Sequence, residues 1–108
     1  MKKIVNLTPH AIVLNTGEVF EPSGKVARVS SSFEDSGLDV NGIQIFETKF
    51  GQIIDLPDYE DGTFFIVSAM VMAANKGVRK DLIAPATSHP DTIRNEKGHI
   101  VSVPGFTI

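Results

Sequence analysis

The sequence has no cysteine and no tryptophan, and it has no apolar run of the length that crosses a membrane. Without cysteine, the chain can form no disulfide, no cysteine-ligated zinc site and no thiol nucleophile. A membrane-spanning helix needs about 18 apolar residues in succession. The segment Met1–Val5 begins like a signal peptide, but the polar residues from Asn6 onward interrupt it. We therefore expect a cytoplasmic protein.

Basic residues are slightly outnumbered by acidic ones, 10 against 13, and the charges are distributed unevenly along the chain. The formal net charge is −3, which divides into +2 for residues 1–30, −7 for residues 31–62 and +2 for residues 63–108. A general DNA or RNA binder normally carries a basic stripe, so binding to a nucleic-acid polymer is disfavoured. The acidic middle is either a solvated loop region or a surface that repels polymers while flanking arginines bind a small anion.

The length of 108 residues predicts a single domain, residues 1–108. A domain of this size buries roughly 65% of its unfolded surface, and small proteins often supplement such a core with disulfides, metals or oligomerisation. Cysteine is absent and the C-terminal residues Phe106–Ile108 are apolar. We therefore expect a homo-oligomer.

Short apolar runs separated by turn residues are typical of a meandering β-structure. Asn41-Gly42 predicts a tight hairpin turn, whereas residues 31–37 and 57–62 have the composition of polar loops. The expected fold class is α+β and mostly β, with a small meandering sheet or a barrel-like β-domain. The predicted strands are residues 3–7, 11–14, 18–21, 25–30, 38–40, 43–49, 52–56, 64–67, 79–83, 92–95 and 99–103.

One short helix is predicted over residues 68–76. The composition changes there from aromatic and β-branched residues in Thr63–Val67 to alanine and methionine. Ser68 is placed as the N-cap, Lys76 lies in the last turn, and Gly77 supplies a left-handed stop.

No standard catalytic pattern is present. The spacing of His10, His89 and His99 matches no metal-binding motif, and no phosphate-cradling glycine motif occurs. Ser68 follows a strand and opens a helix, but it lacks the glycines of a nucleophile elbow, and an N-cap role explains it. The carboxylates of Asp55–Asp61 cluster in a polar loop that would not raise their pKa. We predict no catalytic residue, no metal and no cofactor.

The remaining candidates are side chains that can bind an anion. A guanidinium group grips phosphate through two parallel hydrogen bonds, and the chain has only three arginines. The same arginines could equally form surface ion pairs. With nearby donors, the predicted ligand-binding residues are Arg28, Arg79, Lys80, Arg94, Thr87, Ser88 and His10.

Five segments of the chain carry a resemblance to known proteins: Asn6–His10, Pro22–Gly24, Ala27–Val29, Gly62–Ser68 and Arg79–Leu82 with Pro85. In this order, they resemble a family of small proteins encoded by bacteriophages, prophages and some bacterial genomes. The resemblance carries no activity and no residue role. It implies a phage-type accessory protein that acts in the cytoplasm of a bacterial host.

Three functions are compatible with this context. The leading hypothesis is a non-enzymatic oligomer that sequesters a phosphorylated (cyclic) nucleotide signal as an anti-defence protein, similar in general design to sponge proteins that disarm bacterial immune signalling. The second is a protein-binding module that masks a host or virion protein. The third is a hydrolase of unfamiliar type that uses His10 or His89.

Overall fold

The computed structural model describes residues 2–108 and contains strands throughout with one short helix in that range. It confirms the α+β, mostly β class; within the described residues the sheets remain small and none closes into a barrel. The elements are β1 Lys3–Asn6, β2 Ile12–Val13, β3 Val19–Phe20, β4 Ser31–Val40, β5 Ile43–Phe50, β6 Thr63–Ile66, α1 Ala69–Asn75, β7 Leu82–Pro85, β8 Ile93–Arg94, β9 Ile100–Ser102 and β10 Phe106–Thr107.

The central sheet has four strands in the order β1-β6-β7-β10. β6 pairs in parallel with both β1 and β7, and α1 is the connection between β6 and β7. β10 closes the other edge by pairing antiparallel with β7. Buried apolar side chains from β6, α1 and β7 meet in one core, including Phe65, Val71 and Leu82. This strand-helix-strand unit is the most deeply buried part of the fold.

The helix has the caps that the sequence predicts. The Ser68 hydroxyl accepts a hydrogen bond from the Val71 amide, and the backbone of Ser68 is extended, as an N-cap requires. The left-handed turn that ends the helix starts at Lys76 (φ 51°) and continues through Gly77 (φ 76°). Gly77 therefore lies in the predicted stop, with Lys76 as the C-cap. No helix in residues 2–108 is both long and apolar enough to cross a membrane.

Two small antiparallel hairpins, β2–β3 and β8–β9, flank the central sheet, and both strand pairs agree with the sequence prediction. They are joined by hydrogen bonds between the Val13 and Asn15 backbones and Val103. The C-terminal strand β10 places the Phe106 ring edge-to-face with Phe20, with ring centroids 5.6 Å apart. In the apolar C-terminal segment, Phe106 therefore packs against its own chain, whereas Ile108 is 94% exposed.

Residues 31–50 form a long hairpin, here named the hairpin arm, that consists of β4, the Asn41-Gly42 turn and β5. Both turn residues have positive φ (53° and 79°), as a type I′ turn requires. The prediction of a loop over residues 31–37 is wrong, because these residues belong to β4: residues 31–35 pair with β5, and residues 36 and 37 form a bulge within the strand. The radius of gyration is 16.4 Å, against about 13 Å for a compact domain of this length, so the molecule is elongated.

The strands predicted at residues 25–30 and 52–56 are also wrong, since the structure has a single bridge there. The Arg28 and Ile54 backbones exchange two hydrogen bonds of 3.1 and 2.8 Å at the base of the hairpin arm. The preceding Ala27 amide donates instead to the Leu7 carbonyl. The segment divides its hydrogen bonds between the arm and the central sheet, which prevents a regular ladder.

Candidate functional site

A cavity of about 540 Å³, here named the strand-end cavity, lies where β6 and β7 end. Ala69 follows β6 directly, and residues 86–89 follow β7. Parallel strands place ligands at their carboxyl ends, and small-molecule sites typically have volumes of about 300 to 1,000 Å³. The strand-end cavity is lined by Ala69, Met72, Ala84, Pro85, Ala86, Thr87, Ser88, His89, Phe106 and Thr107.

Hydrogen bonds hold the loop after β7 in a defined shape. The Ala86 amide donates to the Gly105 carbonyl at 3.0 Å, which ties the loop to the segment before β10. The Ala86 carbonyl accepts from the Thr92 hydroxyl at 2.9 Å and from the His89 amide at 3.2 Å. These contacts keep the side chains of residues 87–89 at the cavity.

His89 presents a defined face to the cavity. Its Nδ1 accepts a hydrogen bond from the Asp91 amide at 3.0 Å, and the Asp91 carboxylate lies 4.0 Å from the same nitrogen. A neutral imidazole that accepts at Nδ1 carries its proton on Nε2. His89 therefore offers an N–H donor to a ligand, beside the hydroxyls of Thr87 and Ser88.

Arg94 supports this loop from the neighbouring β8–β9 hairpin. Its guanidinium donates to the Thr87 carbonyl at 3.2 Å and to the Gly98 carbonyl at 2.9 Å. It thereby links the cavity loop to the turn of that hairpin. The predicted residues Thr87 and Ser88 thus line the strand-end cavity, and Arg94 contacts the backbone of the loop that bears them.

Arg79 has a different environment. Its guanidinium binds both carboxylate oxygens of Asp81, at 2.9 and 2.7 Å, and donates to the Pro57 carbonyl at 2.9 Å. The Asp81 side chain is only 3% exposed. Hydrogen bonding to Arg79 lowers the pKa of Asp81 and raises the pKa of Arg79. This geometry matches an ion-pair role for Arg79.

The other predicted residues lie in separate places. Arg28 is exposed and lines a cavity of about 360 Å³ near Thr8 and Ser68. Lys80 lines two further cavities, one of which, of about 430 Å³, is also lined by Arg79. His10 is exposed, and its backbone carbonyl accepts hydrogen bonds from two side chains. The three arginines therefore have three different sets of neighbours within one chain.

Two features of the strand-end cavity were missed by the sequence reasoning. Met72 and Phe106 form apolar parts of its lining, and His89 was considered only as a metal ligand or hydrolase residue. The available signal was the strand-helix-strand pattern of residues 63–85, which favours parallel pairing and a site at the strand ends.

Residues in three of the segments singled out in the sequence analysis, Asn6–His10, Gly62–Ser68 and Arg79–Leu82, have structural roles in this chain. The Asn6 side chain is almost fully buried and makes four hydrogen bonds: Oδ1 accepts from the Thr8 amide and hydroxyl at 2.9 and 2.7 Å, and Nδ2 donates to the His10 and Phe20 carbonyls, both at 2.8 Å. Ser68 caps α1, and Arg79 neutralises Asp81. Each of these residues therefore stabilises the local structure of its own segment.

Comparison of the chain with protein-family models, with curated proteins and with solved structures gave no match. The chemistry of the strand-end cavity is therefore the main guide to function. Its apolar lining from Met72 and Phe106 suits a flat or apolar group, and the donors on residues 87–89 suit oxygen atoms of an anion.

Proposed function

We propose that this protein binds a small phosphorylated ligand of the nucleotide class in the strand-end cavity and sequesters it unchanged. The observation that carries the proposal is one cavity that combines apolar walls with the donors of Thr87, Ser88 and His89. In the context that the phage resemblance implies, the ligand is a host signal and the protein acts against defence in the bacterial cytoplasm.

The chemistry of the lining supports this ligand class. Phosphate oxygens accept hydrogen bonds from hydroxyl and imidazole donors, and each charge-assisted bond contributes about 1.5 to 3 kcal/mol. The Phe106 ring and the Met72 side chain give apolar surface for a base. His89 Nδ1 accepts a bond from the backbone, so this nitrogen is occupied and is unsuited to act as a general base.

Native mass spectrometry of the full chain with a panel of cyclic and linear nucleotides tests the proposal. We expect a retained, unmodified nucleotide. His89→Ala should weaken its binding roughly 10- to 150-fold, by the conversion of about 1.4 kcal/mol per decade. His10→Ala is the matched control, because His10 is exposed and lies outside the lining of the strand-end cavity.

Two outcomes contradict the proposal. A nucleotide that is released in processed form would favour the hydrolase hypothesis. Failure to retain any nucleotide, or an equal loss of binding in both histidine variants, would show that the strand-end cavity is not the binding site.

The exposed hairpin arm favours a second candidate function, a module that masks a host or virion protein, because its apolar side chains are accessible to a partner.

A further inference from the structure

A second cavity, of about 360 Å³ and here named the Arg28 cavity, lies beside the first turn of α1. Its lining comes from the residues that follow β1, from residues 26–29 and from the start of the helix. The parallel strands β1 and β6 both end beside it, and sheets of parallel strands place ligands at their carboxyl ends. The Arg28 cavity shares no lining residue with the strand-end cavity.

The floor of the Arg28 cavity is apolar and belongs to the hydrophobic core. Leu7, Ala27 and Val71 line the cavity and are members of the core cluster, with exposed fractions of 1%, 5% and 1%. Met70, which also lines it, is 50% exposed and lies nearer the opening. The cavity volume is within the range of about 300 to 1,000 Å³ that is typical of small-molecule sites. A floor of this kind suits the hydrocarbon part of a ligand.

Arg28 contributes the single charged side chain among the described residues that line this cavity. Two hydrogen bonds with the Ile54 backbone hold the Arg28 backbone in place. The Arg28 guanidinium has no hydrogen bond or ion pair with any side chain or backbone group of residues 2–108. The other two arginines differ, since Arg79 binds Asp81 and Arg94 binds two backbone carbonyls. Arg28 therefore offers all of its N–H donors to a ligand.

The Ser68 hydroxyl is a further donor at the Arg28 cavity. Its oxygen accepts a hydrogen bond from the Val71 amide at 3.3 Å, and its proton has no acceptor among residues 2–108. The Thr8 hydroxyl, in contrast, already has two acceptors within reach, the Asn6 side chain at 2.7 Å and the His10 carbonyl at 3.0 Å. No carboxylate of the described residues lines the cavity, so no negative charge in the lining repels an anion.

We propose that the Arg28 cavity is a second ligand site, which binds a small oxyanion carried on a short apolar body. A guanidinium grips two oxygens of a carboxylate or a phosphate through parallel hydrogen bonds. The Ser68 hydroxyl donates to an oxygen of the same group, and the floor of Leu7, Ala27 and Val71 receives the apolar body. This site does not depend on the nucleotide site proposed above, because the two linings have no residue in common.

Titration of the full chain by two-dimensional NMR tests the proposal, with phenyl phosphate and benzoate as separate probes. We expect saturable shifts of the backbone amides of residues 26–29 and 68–71, with a dissociation constant in the millimolar range for ligands this small. Saturation by either probe supports the site, and the probe that binds more tightly identifies the oxyanion. Inorganic phosphate has no apolar body and should bind at least about 10-fold more weakly than phenyl phosphate.

Two variants of Arg28 test the role of the guanidinium. Arg28→Ala should weaken binding about 10- to 150-fold, because it removes a charge-assisted contact. Arg28→Lys keeps the charge but loses the planar pair of donors, so it should also weaken binding, though less. Lys49→Ala is the matched control: it removes one positive charge from the exposed hairpin arm and should leave binding unchanged. Each variant should fold normally, since the Arg28 side chain is exposed, and the dispersion of the amide signals checks this.

The residue-by-residue readout separates this site from the strand-end cavity, which is reported by the amides of residues 86–89. Shifts confined to residues 86–89 would overturn the present proposal and leave the nucleotide site standing. The absence of saturable shifts near Arg28, or an equal loss of binding in Arg28→Ala and Lys49→Ala, would overturn it as well. Equal affinity for inorganic phosphate and phenyl phosphate would show that the apolar floor does not contribute, which contradicts the proposed ligand class.

Discussion

The central sheet and the hairpin arm contain the same types of apolar residue, but the sheet buries them and the arm exposes them. Phe65 in β6 is 4% exposed, whereas Phe33 in β4 is 72% exposed. β6 has a strand on each side and a helix that follows it, whereas β4 pairs, among residues 2–108, with β5 alone. The number of neighbouring elements therefore decides which apolar residues are buried, and those of the arm remain exposed in the single chain.

The two regions differ in their ion pairs as well. In the core, the Arg79 and Asp81 side chains approach to 2.7 Å, and the Asp81 side chain is 3% exposed. In the arm, Lys49 and Glu47 lie 3.7 Å apart, with side chains that are 51% and 58% exposed. Solvent and salt screen the attraction between Lys49 and Glu47 strongly, whereas they screen the attraction between Arg79 and Asp81 much less.

Breaking each pair gives the largest expected contrast. Arg79→Ala leaves the Asp81 carboxylate buried without its partner, and it should lower the free energy of unfolding by about 3 to 5 kcal/mol. Lys49→Ala should lower it by at most about 1 kcal/mol. Urea denaturation at neutral pH measures both. A loss below 1 kcal/mol for Arg79→Ala would contradict the structural role of this pair. Arg79 would then again be a candidate ligand-binding residue.

The pH dependence of this effect has a definite sign. Arg79 holds the pKa of Asp81 below its ordinary value. A lowered carboxyl pKa contributes stability above the unfolded-state pKa, about 3.9, and that contribution disappears as the pH falls through the folded-state pKa. The stability difference between the wild type and Arg79→Ala should therefore shrink below about pH 4.

A pair of leucines extends the comparison to packing. Leu82 is 2% exposed and belongs to the core cluster, whereas Leu38 is 66% exposed at the tip of the arm. Leu82→Ala should cost about 2 to 5 kcal/mol of unfolding free energy because it leaves a cavity. Leu38→Ala should change it by no more than about 0.5 kcal/mol. Urea denaturation at a dilution where the chain is monomeric measures both, and similar losses would mean that the arm packs on the core.

Local chemistry explains which parts of the fold were predictable from sequence. Ser68 and Gly77 mark the ends of the helix through caps that involve only nearby residues, and Asn41-Gly42 specifies its own turn. Residues 31–37 were misread because both faces of the arm are exposed, so β4 has no simple alternation of apolar and polar residues. The parallel pairing of β1 with β6 joins segments that are distant in sequence and leaves no local signal.

The strand-end cavity was predictable only in part, for the same reason. Thr87 and Ser88 were predicted as donors to an anion, and both line the cavity. Phe106 reaches the cavity because β10 pairs with β7, which is a nonlocal contact. Arginine chemistry alone did not reveal that Arg79 has a carboxylate partner two residues away with a buried side chain.

The smallest expected effect tests whether the arm unfolds independently of the rest of the molecule. Gly42 in the arm turn has φ 79°, and Gly17 in the β2–β3 turn has φ 97°; neither position has an atom within 4 Å of an added Cβ. Alanine at either site costs about 1 to 2 kcal/mol of backbone strain. The β2–β3 hairpin is hydrogen-bonded to Val103 and to Asn6, so Gly17→Ala should lower the global free energy of unfolding by about that amount.

Gly42→Ala should leave the urea midpoint nearly unchanged, because the strain acts on a segment that can open while the core stays folded. Hydrogen exchange of the arm amides should instead become about 5- to 30-fold faster, by the conversion of about 1.4 kcal/mol per decade. Exchange in β6 and β7 should be unaffected. Both measurements require a dilution at which the chain is monomeric, since association would protect the arm. If Gly42→Ala lowers global stability as much as Gly17→Ala does, the arm and the core unfold as one cooperative unit, and the division of the molecule into these two regions is wrong.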